Sequence, residues 1–181
     1  MLVVCPAETK LKSGSLHDVA ITCDLRLITG LFGDKMMDEV TQPQKMRFHV
    51  ETKRLSAHVS QASCKQAKID LDTDLSGNPD AFNPAELLLA ALTACMVKGI
   101  ERVAPILKFQ YQGVEVQVDG VRQDVPPKME SIRYRIVVDT QESDQRLSLL
   151  HDNVKKYGTV FNTVSPGTDL QGVLVRKAAH E

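Results

Sequence analysis

The stretch Asn83-Pro84-Ala85-Glu86-Leu87-Leu88-Leu89-Ala90-Ala91-Leu92-Thr93-Ala94-Cys95-Met96-Val97-Lys98-Gly99-Ile100-Glu101-Arg102-Val103-Ala104 decides the fold. It reads as one helix with both ends marked. Asn83 can accept hydrogen bonds from the unpaired N–H groups of the first turn, Pro84 suits the first helical position, and Glu86, three residues after Asn83, completes a capping-box pattern. Pro105 is predicted to stop the helix. At 1.5 Å per residue the stretch spans roughly 30 Å, the width of a small domain. Between Ala85 and Val97 only Glu86 and Thr93 are polar, so this half is apolar nearly all round and is predicted to be enclosed by other elements. Its one thiol, Cys95, then lies inside the protein.

The 181 residues of the chain, 43% of them hydrophobic, suffice for one real core and about one domain. A net charge of −1, with no tryptophan and few other aromatics, supplies neither long-range attraction nor stacking platforms, so neither nucleic acid nor an anionic membrane is predicted as a partner. The longest nearly uninterrupted apolar run, residues 87–97, is far short of the roughly 20 residues that cross a bilayer. The N-terminus has no basic start and meets Glu8 too early for a secretory signal, and a cytoplasmic location is expected. Four cysteines, at positions 5, 23, 64 and 95, form no C-x-x-C pair and no metal-ligand spacing. Free thiols are therefore expected, with no metal and no cofactor.

Residues 1–45 read as a separate N-terminal extension or an extra strand, because Val19, Ile21, Cys23, Leu25 and Leu27 alternate with Ala20, Thr22, Asp24 and Arg26 before Gly30 and Gly33 break the pattern. The main domain is assigned to residues 46–181. Two or three strands are predicted between Met46 and Thr73: Phe48 and Val50, Ala57 and Val59, and Ile69 and Leu71 each alternate with polar neighbours. Such patterning belongs to antiparallel sheets with one wet face. After Pro105, Val114, Val116 and Val118 begin a strand, and Ile132, Tyr134, Ile136 and Val138 a second, joined by a long connection through Pro126 and Pro127. From Thr140 to Tyr157 the spacing of Leu147, Leu150, Val154 and Tyr157 predicts a second helix, with Lys155 and Lys156 near its negative end and Gly158 closing it in a left-handed conformation. A last strand runs from about Leu170 to Arg176. The order of elements is α+β, without regular βαβ alternation.

Cys95 is the residue with a chemical argument from spacing. Lys98 lies about 60° and Arg102 about 20° from it around the helix, so two cations share its face. Cations favour the nucleophilic thiolate and apolar burial opposes it; the bland alternative is a small buried hydrophobe beside the solvated end of a helix. Glu86 lies about 180° from Cys95 and more than two turns away. It reads as a capping carboxylate, and a contact with Cys95 would need another chain. His49, His58 and His151 lack a partner at useful spacing, and Cys5, Cys23 and Cys64 read as inert.

The pattern Asn-Pro-x-Glu-Leu-Leu-x-Ala-Ala-x-x-x-Cys at residues 83–95, followed by two strands and a helix ending in Lys155-Lys156-Tyr157, resembles the OsmC/Ohr family of osmotically inducible and organic-hydroperoxide-resistance proteins. The similarity covers roughly residues 46–177. It implies an intertwined homodimer whose antiparallel sheets wrap two long central helices, with sites at the subunit interface. It also implies thiol-dependent reduction of hydroperoxides in oxidative-stress defence. The helix cysteine, here Cys95, would attack the O–O bond and become a sulfenic acid, and a second cysteine would condense with it to a disulfide that a dithiol reduces. Where the family carries that second cysteine this chain has Gly158. Many members also carry a carboxylate directly after Asn-Pro that holds a catalytic arginine; here Ala85 stands there, with Glu86 as the substitute, and Arg47 and Arg54 are the candidate arginines. Cys95 and Glu86 are thus the candidate catalytic residues. Three readings remain: a peroxidase (hydroperoxide reductase) working with a single cysteine, a dimer of the same fold that has lost turnover and binds a small apolar or thiol-reactive molecule, or a plain structural or interaction domain.

Overall fold

The computed structural model describes residues 45–178. The predicted strand at Val19 to Leu27, and all of the N-terminal extension but Lys45, lie outside the described residues. Within them the order is β1 (Glu51–Arg54), β2 (Val59–Cys64), β3 (Ala67–Asp72), α1 (Pro84–Leu107), β4 (Gly113–Gln123), β5 (Lys128–Asp139), α2 (Asp144–Tyr157), α3 (Thr159–Val164) and β6 (Asp169–Arg176). The architecture is α+β, with two three-stranded sheets ordered β1-β2-β3 and β4-β5-β6.

The predicted capping box closes the start of α1. Asn83 Oδ1 accepts from the N–H groups of Ala85 at 2.9 Å and Glu86 at 3.0 Å, and Glu86 Oε2 accepts from the N–H of Asn83 at 2.9 Å. The predicted stop at Pro105 is wrong by about a turn: the helix runs to Leu107 and is capped by Lys108 in the left-handed region, φ 50°. The extra turn survives because its carbonyls find other donors. Phe109 N–H reaches Ala104 O at 2.8 Å, and the Arg146 guanidinium donates to the Leu107 and Lys108 carbonyls at 2.9 Å each.

One face of α1, carrying Leu92, Met96, Ile100 and Val103, packs against Ile132, Tyr134, Ile136 and Val138 of β5 and Leu147, Leu150 and Val154 of α2. The opposite face is not enclosed by the described residues. Leu88 and Val97 are each 37% exposed, and Ala91 and Ala94 between them are exposed too. The predicted burial all round is therefore met on one side only.

The long connection expected between β4 and β5 is instead short, residues 124–127, because both strands run on with paired residues as far as Gln123 and Lys128. β6 pairs with β5 in parallel, a departure from the antiparallel pattern of the other strand pairs described, since the chain crosses over through α2 and α3 before returning. In the first sheet the predicted strand at Phe48 and Val50 begins only at Glu51. Its partner β2 turns back at Lys65 (φ 56°) immediately after Cys64, so β2 offers residues 46–49 no further ladder partner. Phe48 is 81% exposed. Beyond the Leu71–Phe82 bridge, this sheet packs little against α1 or the second sheet.

Candidate functional site

Cys95 sits at the edge of the packed face of α1, half-buried, with a free thiol. The main chain of Gly158, between α2 and α3, comes directly against it. A Cβ placed on Gly158 would lie 3.7 Å from Cys95 Sγ, but also 2.9 Å from the Val154 carbonyl oxygen and 3.0 Å from Phe161 Cβ. Gly158 has φ −76°, ψ 107°, so the predicted left-handed closure is incorrect. Glycine is required here by close approach of backbone to backbone and sulfur, not by its dihedral angles. The position that abuts the sulfur is filled by main chain and Phe161, with no room for a side chain.

Behind this wall lies a pair that the sequence did not reveal. α3 follows α2 at once and points Phe161 at Tyr134, ring centroids 6.2 Å apart and nearly perpendicular. The Tyr134 hydroxyl is 2.8 Å from His151 Nε2. Tyr134 is 5% exposed, and it fits because its parallel neighbour is Gly172, where a Cβ would fall 2.4 Å from the tyrosine ring. Burial, with a smaller push from Asp152, raises the Tyr134 hydroxyl to about 12. The Tyr134 hydroxyl therefore keeps its proton and shares one hydrogen bond with His151 Nε2. His151 is held below its ordinary range by burial first and by Lys155 second, with Asp152 opposing. The expectation that the histidines lack partners fails for the other two as well, since His58 pairs with Asp74 and His49 with Glu51.

Lys98 and Arg102 are exposed on α1 beyond Cys95 and pair with no carboxylate among the described residues. Glu86 is exposed at the far end of the helix, about 13 Å along the axis from Cys95, and its Oε2 is committed to the cap. One chain does not bring Glu86 and Cys95 together. Arg47 precedes β1 and Arg54 ends it, both exposed. Cys64 is exposed at the end of β2, while Cys5 and Cys23 lie outside the described residues. Hollows of about 390 Å³ between α2 and β6, and of about 430 Å³ at the C-terminal end of α1, are lined by other residues; Cys95 opens instead on the uncovered flank of α1. Among the described residues no three metal-ligating side chains gather, and no helix is long and apolar enough to cross a membrane.

Fold and site together define an α+β protein built round one long capped helix that carries a half-buried thiol against the α2–α3 junction. The chain belongs to the OsmC-like protein family, whose model matches residues 77–171, just over half of its length. No curated protein matches the sequence. Among solved structures, an OsmC-like protein from Mycoplasma pneumoniae is 19% identical with a TM-score of 0.65, covering 73% of this chain and 99% of that one. An organic hydroperoxide resistance protein OsmC from Legionella pneumophila is 16% identical with a TM-score of 0.58, covering 75% and 100%. The organic hydroperoxide resistance protein OhrB of Bacillus subtilis is 18% identical with a TM-score of 0.51, covering 71% and 98%. At these identities the likeness establishes the fold.

Two outcomes follow from the packing round Cys95. Gly158→Ala should destabilise the protein by about 1–3 kcal/mol, the usual cost of overpacking, measured as a lower urea midpoint at unchanged slope; unchanged stability would contradict the close approach. For His151, the unfolded chain takes up a proton near pH 6.5 while the folded chain does so only at lower pH. Its contribution to stability is thus complete above about pH 6.5 and lost as pH falls through the folded value. Thermal midpoints should therefore drop between about pH 7.5 and 5.5, and His151→Gln should flatten that drop; an identical profile in the variant would contradict the buried pair.

Proposed function

We propose that the protein is a homodimeric, cytoplasmic hydroperoxide reductase that uses Cys95 as its single peroxidatic cysteine in oxidative-stress defence. The observation that carries this reading is the thiol of Cys95, half-buried on the central helix of an OsmC-like fold at the boundary of an uncovered helix face. The names of the Legionella and Bacillus proteins of like fold, organic hydroperoxide resistance proteins, support organic hydroperoxides as the substrate class.

The thiolate attacks the O–O bond, an alcohol leaves, and Cys95 becomes a sulfenic acid. Because the abutting position is closed by the Gly158 main chain and Phe161, reduction falls to an external dithiol. Its first thiol condenses with the sulfenic acid and releases water; its second closes a disulfide and frees Cys95. A second copy of the chain is the natural cover for Leu88, Ala91, Ala94 and Val97, since apolar surface of this kind marks interaction sites. Glu86 contributes across that interface, where its second oxygen remains to hold an arginine, Arg47 or Arg54. Gly158 is also what the other reading rests on, a dimer without turnover that binds a small apolar or thiol-reactive molecule.

Consumption of an organic hydroperoxide with a dithiol reductant separates the two. Cys95→Ser should abolish turnover, and the oxidised wild type should carry a single added oxygen at Cys95 with no disulfide. Equal rates for wild type and variant would end the peroxidase reading, and an unoxidised Cys95 with a ligand retained through purification would select the binding reading.

A further inference from the structure

We propose that His151 and Tyr134 are positioning residues for Cys95 and make access to its sulfur depend on pH. While His151 is neutral, the pair holds Phe161 and the Gly158 main chain against the sulfur; once His151 takes up a proton, the α2–α3 junction releases it. The inference concerns the thiol itself and holds whichever chemistry Cys95 performs. Three contacts connect the two groups. His151 Nε2 is 2.8 Å from the Tyr134 hydroxyl, the Tyr134 ring meets Phe161 edge to face at 6.2 Å, and Phe161 with the Gly158 main chain closes the packed flank of Cys95. The junction is the loosest link. α3 has six residues, none of them fully buried, and no side chain caps its start; a helix so short has little stability of its own. The Gly158 N–H reaches the Lys155 carbonyl only at 3.3 Å. The junction is tied by the Asn162 amide on the Lys156 carbonyl at 3.0 Å and by the packing of Val160, Phe161 and Val164 on the core. Of these, Phe161 reaches both Tyr134 and the Gly158 position.

A protonated His151 has a place to go. It lines the hollow of about 390 Å³ between α2 and β6, together with Asp144, Ser148 and Arg176 among others. On its own helix, Asp152 favours the protonated ring and Lys155 opposes it. Across the hollow, Arg176 of β6 is paired with Asp144 at 2.9 Å. β5 presents the Tyr134 hydroxyl, α3 has no ionisable residue, and no charged residue of α1 acts on the ring. Tyr134, raised to about 12, keeps its proton throughout, so His151 is the group of this pair that titrates between neutral and mildly acid pH. In its seat the ring is stripped of water, which penalises the charged form; turned into the hollow, the charged ring regains water. Its departure leaves the Tyr134 hydroxyl as a buried polar group without its partner, which favours a shift of the tyrosine and, with it, of Phe161.

The test labels the full-length protein with two uncharged thiol reagents of different size, iodoacetamide and a pyrenyl maleimide, and reads each cysteine separately by peptide mass spectrometry. Both reagents take the thiolate, so the ratio of large to small label at Cys95 is free of the thiolate fraction and reports room round the sulfur. In the wild type that ratio should be constant above about pH 7 and rise severalfold between about pH 6.5 and 5, no more steeply than about tenfold per pH unit, the limit for one proton. The ratio at Cys64, exposed on β2, should not move. His151→Gln can still bond to Tyr134 but takes up no proton, and should keep the neutral-pH ratio throughout. Tyr134→Phe keeps the ring without the hydroxyl and should also abolish the step. A flat wild-type ratio, a step that either variant retains, a Cys95 that neither reagent reaches at any pH, or a rise that coincides with loss of the far-ultraviolet helix signal would overturn the proposal. Labelling needs no turnover, so none of these results decides whether Cys95 reduces hydroperoxides.

Discussion

A helix that is apolar on more sides than the described residues cover is the constraint on which the rest of this structure depends. β5 and α2 bury Leu92, Met96, Ile100 and Val103, and the 24 residues of α1 are fixed at one end by the capping box and at the other by Arg146 and the Phe109 N–H. Leu88 and Val97 remain a third exposed and the small residues between them stay open. Burying a leucine or valine side chain is worth about 1.5–3 kcal/mol. Completing the burial of that exposed third therefore adds about 1–2 kcal/mol per chain, and the loosely attached first sheet, with Ile69 46% and Leu55 54% exposed, presents further apolar surface.

The chemistry follows from where the sulfur falls on that helix. Cys95 is neither on the sealed face nor in the middle of the open one; it stands at their boundary, touched from one flank by the α2–α3 junction and open on the other. The junction is shaped by two glycines with different duties. Gly158 lets main chain meet main chain and sulfur, and Gly172 makes room for the Tyr134 ring, which with Phe161 and His151 fills the space behind. The outcome is a thiol supported from behind by main chain and aromatic packing, at a position where a second cysteine would collide with the Val154 carbonyl.

Much of this was legible in the sequence because the signals were local. The cap at Asn83 and Glu86, the 3.6-residue period of Leu147, Leu150 and Val154, and the alternation at Ile132 to Val138 each need only their neighbours to be read. What escaped depended on partners distant along the chain. Pro105 does not end α1, because Arg146, some forty residues on, caps the added turn. α3, Thr159-Val160-Phe161-Asn162-Thr163-Val164, has four β-branched residues in six, is too brief to show a helical period and is rich in residues that favour strands. Gly158 carries a sequence signal of closure, but its cause is the crowding of Val154, Phe161 and Cys95, which only folding brings together. The bond of His151 to Tyr134 had no cue beyond the place of His151 beside Leu150 on the edge of the α2 stripe.

The mass of the native protein as a function of concentration tests most directly whether the open face of α1 is covered by a second copy. Sedimentation equilibrium of the full-length chain should give the mass of two chains down to nanomolar concentration, with dilution below that leading to loss of fold rather than to a compact single chain. A folded, stable monomer with Leu88 and Val97 in water would contradict the account.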